Sequence, residues 1–140
     1  MKLAIGSDHA GYELKEYLKS QFPNIEWIDK GTNSLDSVDY PDFAHLVALS
    51  VLNQEVERAI LICGSANGVS IAANKHLGIR AAIAWLPEIA ALARQHNDAN
   101  ILSLPARFIS KEAAIDIVNA YLNATFEGGR HQKRVDKIDI

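Results

Sequence analysis

A chain of 140 residues with 49% apolar and 22% charged side chains has the make-up of one folded domain that can bury a core without staples. That excludes a disordered tract, and the net charge of −3 speaks against a nucleic-acid surface. One cysteine allows no internal disulfide and fits a reducing compartment.

The first apolar stretch ends at Ile5, too short for a signal-peptide core, and the longest apolar run, Ala81 to Leu86, is far below the ~20 residues that span a bilayer. The expected location is the cytoplasm, with neither a membrane nor a nucleic acid as partner.

Five short β-type runs follow one another: Leu3-Ala4-Ile5, Ile25-Glu26-Trp27-Ile28, Ala59 to Cys63, Ala81 to Ala84 and Ile101 to Leu104. Near-continuous apolar runs suit parallel strands covered on both faces. Helical spacing separates them: Leu14, Tyr17, Leu18 and Phe22; then Phe43, Leu46, Val47 and Val51; then Ala114, Ile117, Val118, Tyr121 and Leu122. Pro41 and Pro87 suit first helical turns, and Ser110 suits an N-cap. The alternation predicts βαβ units in a three-layer α/β/α sandwich with a five-stranded, parallel, Rossmann-like sheet, as one domain over 1–140. Ligands of such sheets bind beyond the carboxyl ends of the strands.

The first strand runs into Gly6-Ser7-Asp8-His9-Ala10-Gly11, which sets Asp8 and His9 at that edge. Asp8 reads equally well as a helix cap. The third strand opens into Cys63-Gly64-Ser65-Ala66-Asn67-Gly68, where small residues let backbone N–H groups crowd at a helix start and attract an anion. The same field is expected to lower the thiol pKa of Cys63. Alone, a cysteine in an apolar strand serves packing more often than chemistry. The spacing matches neither a Walker A loop nor Gly-x-Gly-x-x-Gly.

Arg94-Gln95-His96-Asn97-Asp98 collects polar side chains just before the fifth strand and reads as a further ligand-edge turn. His96 suits general acid–base work, or simply the end of a helix dipole. Arg107 follows the fifth strand. Arg130 and Arg134 would share one face of a helical tail and suit a phosphate, although a solvated basic tail has the same composition. His45, His76 and His131 show no zinc-ligand spacing, so no metal is expected.

These segments together resemble the type B ribose-5-phosphate isomerases and their relatives that isomerise galactose 6-phosphate or allose 6-phosphate. The matching blocks are Gly6 to Gly11, Asp29-Lys30-Gly31-Thr32, Asp39-Tyr40-Pro41, Ile62-Cys63-Gly64-Ser65, Ile71 to Lys75, Arg94 to Asp98, Glu127 to His131, and Arg134. They run in order over nearly the whole chain.

The resemblance implies sheet order 2-1-3-5-4 and an aldose–ketose isomerase that works through an enediolate without metal or cofactor. Cys63 would be the base. Ser65 and the N–H groups from Gly64 through Ala66 and Asn67 to Gly68 would hold the enediolate oxygen. His96 would open the sugar ring with Asp8 assisting, and Asn97 would bind hydroxyls. His9, Arg107, Arg130 and Arg134 would hold the phosphate. It also implies a homodimer or dimer of dimers with shared sites, the basic tail (127–140) packing on the partner.

Three departures stand out: Gly64-Ser65-Ala66 replaces a common Gly-Thr-Gly; Val69 stands where one branch places a glutamate base; and Pro105-Ala106 precedes Arg107 where glycine is frequent. The alternatives are a six-carbon sugar phosphate as substrate, a non-catalytic sugar-phosphate-binding module, and a redox sensor at Cys63, which lacks a resolving cysteine.

Overall fold

A computed structural model describes all 140 residues. In chain order the elements are β1 (Lys2–Ser7), α1 (Tyr12–Gln21), β2 (Glu26–Asp29), α2 (Tyr40–Leu52), β3 (Arg58–Cys63), α3 (Asn67–Ala73), β4 (Ala81–Ile83), α4 (Pro87–Asn97), β5 (Ile101–Pro105), α5 (Lys111–Asn123) and α6 (Arg130–Val135). All strand pairs are parallel and the order is β2-β1-β3-β5-β4, as the alternation and the family likeness lead one to expect.

The five apolar runs become the five strands because both faces of the sheet are covered. Leu3, Ile5, Ile60, Ile62, Leu102 and Leu104 face α1, α4 and α5. Ala4, Ala59, Leu61 and Ile101 face α2 and α3. Three helices pack on one face and two on the other, and the edge strand β4 stays half-buried beside α3 while β5 is buried throughout.

The helix starts follow their sequence signals. Pro41 and Pro87 lie in first turns, and the Ser110 hydroxyl accepts from the Ala113 N–H at 3.0 Å. No helix is long and apolar enough to cross a membrane.

The candidate active site and its two halves

The carboxyl edge of β1 and β3 is built on close backbone passage. A Cβ at Gly11 would lie 2.7 Å from the carbonyl oxygen of Ile62, so only glycine lets the loop run against the end of β3. Asp8, 8% exposed, accepts from the N–H groups of Ala10 at 3.0 Å and Gly11 at 3.1 Å. Both bonds fall on Oδ1, so Asp8 caps this turn and leaves Oδ2 unengaged. His9 Nδ1 accepts from the Val38 N–H at 3.2 Å. That bond assigns the proton to Nε2, which is then a donor toward any anion at this edge.

Cys63, 5% exposed, ends β3. Its carbonyl accepts from Ala106 at 2.9 Å, and that of Gly64 accepts from Arg107 at 3.1 Å. The Arg107 side chain lies along Gly64: a Cβ there would be 3.3 Å from its Cδ and Nη1. Pro105-Ala106 therefore does not prevent Arg107 from reaching the mouth of β3.

Ala66, buried, takes a left-handed conformation at φ 67° and turns the chain into α3. Ser65 is exposed, and its hydroxyl accepts from the Asn67 amide nitrogens, backbone at 3.4 Å and side chain at 3.1 Å. Val69 is fully buried and offers this edge no polar group. The ring of Tyr40 occupies the place a Gly68 Cβ would take and stays 41% exposed beside the loop. In the sequence Tyr40 carries no mark of a role beyond its motif; Gly68, which it covers, is the one local sign of a close neighbour.

His96 and Asn97 do not join this group within one chain. They end α4, which runs back against the strands, and Asn100 then accepts from Ala59 at the start of β3. The expectation of a further ligand-edge turn is thus corrected: this segment lies at the amino edge. Cys63 and His96 are separated by the length of β3, roughly 17 Å at ~3.3 Å per residue. The tail lies at the same far edge, where α6 packs on α4. Arg130 and Arg134, four residues apart on that helix, are both exposed.

The His131 ring, 6% exposed, stacks on His96 with centroids 4.2 Å apart and planes 11° from parallel. Glu127 Oε1 stands 3.7 Å from His96 Nε2 and 3.5 Å from His131 Nε2. Burial pushes the His131 pKa down, and the neighbouring His96 ring, Arg130 and Arg134 push the same way against the pull of Glu127. Neither Glu127 nor His131 stood out beyond its motif.

The fold defines the class: a doubly wound, parallel α/β protein with Cys63 and a glycine-rich loop at the carboxyl edge of its sheet. The chain belongs to the Ribose/Galactose Isomerase family, whose model matches residues 3–138. It is an isomerase. It is 49% identical over 139 residues to ribose-5-phosphate isomerase B of Escherichia coli (strain K12), covering 98% of this chain and 93% of that protein. The crystal structure of a ribose 5-phosphate isomerase from Thermotoga maritima superposes with a TM-score of 0.97 at 52% identity, covering 99% of this chain and 97% of that one. That of ribose-5-phosphate isomerase B from Mycoplasma genitalium with bound ribulose 5-phosphate superposes at 0.91 with 45% identity, covering 98% and 93%.

Proposed function

We propose that this isomerase interconverts ribose 5-phosphate and ribulose 5-phosphate in the cytoplasm through an enediolate, Cys63 acting as base, in a site completed by a second copy of the chain. The names of the relatives support the substrate. The observation that carries the chemistry is Cys63 at the mouth of β3, between the N–H groups of the Gly64–Gly68 loop and Arg107.

The Cys63 thiolate takes the proton from C2 of the open aldose and the conjugate thiol returns it to C1, while the proton of the 2-hydroxyl passes to the oxygen on C1 so that C2 becomes the carbonyl. The negative charge develops on the carbonyl oxygen, where Ser65 and the loop N–H groups donate, each such donor typically worth about 3 kcal/mol of barrier. Before this step, His96 passes a proton to the ring oxygen as the C1–O bond breaks, while the 1-hydroxyl proton leaves toward Asp8. Asn97 holds hydroxyls. His9, Arg107, Arg130 and Arg134 grip the phosphate, whose binding energy positions the reacting carbons.

Placement of Cys63 and His96 at opposite edges of the sheet favours a shared site. The half-buried edge strand β4 supports the same reading. Ile71 and Leu77 are 65% and 64% exposed beside it, and the buried Ser70 hydroxyl has no partner. A homodimer, alone or paired into a dimer of dimers, would cover that surface and give Arg130 and Arg134 a partner to face.

Co-refolding Cys63→Ala with His96→Ala tests the proposal. Each variant alone should be inactive. The mixture should recover roughly a quarter of wild-type activity, because half the dimers are mixed and each has one intact site. No recovery would place all catalytic groups in one chain. Turnover on ribose, allose and galactose phosphates side by side decides the substrate; a preference for a six-carbon sugar would overturn the pentose assignment. Cys63→Ala should still bind sugar phosphate; wild-type binding without turnover would make the chain a binding module instead.

A further inference from the structure

The histidine spacing in the sequence gives no metal signature, yet the fold gathers three ligand atoms from α4, the α5–α6 loop and α6. Those of His96, Glu127 and His131 all lie within 4.8 Å of one another. In a tetrahedral site with bonds of about 2.0–2.1 Å, neighbouring ligand atoms stand about 3.3 Å apart. The two carboxylate–imidazole separations, 3.7 and 3.5 Å, are within a few tenths of an ångström of that edge. Two imidazoles and one carboxylate are the donor set that borderline divalent metals take, with a position left for water. Magnesium and calcium prefer all-oxygen sites and do not fit.

His131 is held by burial, which fixes one ligand, whereas the side chains of His96 and Glu127 are 36% and 50% exposed and open to an arriving ion. Burial and its cationic neighbours also favour the unprotonated His131 ring, the form that ligates. Nearly parallel stacked rings do not aim their lone pairs at one point, so binding requires the His96 ring to turn out of the stack. Its place on the half-exposed last turn of α4 gives it room. Arg130 and Arg134 on α6 oppose a cation there, which makes the site one that a chelator empties readily.

We propose that His96, Glu127 and His131 bind a divalent transition metal of the zinc class, and that its binding inhibits the isomerase by engaging His96. The inhibition rests on the ring-opening reading of His96; the binding does not.

The test uses the full chain, with Co²⁺ as spectroscopic probe and Zn²⁺ as competitor. Co²⁺ should give the visible absorption of a low-coordinate site, displaced by Zn²⁺, retained in Cys63→Ala and weakened at least about tenfold in Glu127→Gln and His131→Gln. Glu127→Gln alters an exposed side chain, so it decides the matter even where His131→Gln fails to fold. Zn²⁺ should inhibit the wild type, reversed by a chelator, and inhibit Glu127→Gln at least about tenfold less. Absorption that is missing, unchanged in Glu127→Gln, or lost in Cys63→Ala overturns the site. Binding with full activity at saturating Zn²⁺ overturns the inhibition and the role of His96 while the site stands.

Discussion

Cys63 and its neighbours occupy positions where a single added atom matters. A Cβ at Gly11 would press on the backbone of Ile62, which cannot yield without moving β3. Gly11→Ala should therefore cost about 3 kcal/mol, read as a lowered urea midpoint. Gly128 is the contrast: a Cβ there meets nothing within 4 Å, and the strain comes only from its φ of +65°. Gly128→Ala should cost about 1 kcal/mol. Similar losses at both sites would mean that the Gly11 loop can move away from β3. At Gly68 the obstacle is the Tyr40 ring, a side chain that can swing, so Gly68→Ala should fold normally and lose turnover as the loop shifts. Unchanged kinetics would show that the loop does not depend on that contact.

Helix ends and charge clusters set stability at the scale of elements. Ser110 satisfies one otherwise orphaned N–H of α5, so Ser110→Ala should lower stability by about 1 kcal/mol in chemical denaturation. Beneath α1, the fully buried Lys15 ammonium donates to Asp29 at 2.6 Å, and Lys19 donates to the same oxygen at 2.7 Å. The other Asp29 oxygen accepts from Gly31 at 2.8 Å, next to the segment that exchanges backbone bonds with Ser7. Burial alone would raise the Asp29 pKa, but these bonds outweigh it and hold the carboxyl below its usual range. A depressed carboxyl contributes stability that is present above the unfolded-state value near 4 and lost as pH falls through the folded one. The stability gap between wild type and Asp29→Asn should therefore be widest at neutral pH and close in acid. A gap that persists at low pH would assign it to packing.

At the scale of the molecule, much was readable in advance. The apolar strand runs, the prolines that open α2 and α4 and the cap at Ser110 are local signals, and each names its element. The cysteine at a strand mouth follows from strand direction alone. The placement of His96 is equally open to deduction, because a residue just before a parallel strand must lie at the amino edge, whatever the polarity of its neighbours suggests. The association of Glu127 and His131 with His96 was not readable, since their spacing along the chain carries no sign of the packing of α6 on α4. A dimer that covers Ile71 and Leu77 should dissociate when either becomes Asp, with loss of activity in parallel, as followed by analytical ultracentrifugation. Monomers that remain active would remove the shared site.

By itself the sequence determined a doubly wound parallel sheet, its strand direction and the residues at each strand end, because periodicity and chain order act locally and the covered sheet demands continuous apolar strands. Only the tertiary structure decided which strand-end residues meet. It keeps His96 about a strand length from Cys63 and places two histidines and a carboxylate around one point, because packing between helices joins residues that the chain holds far apart.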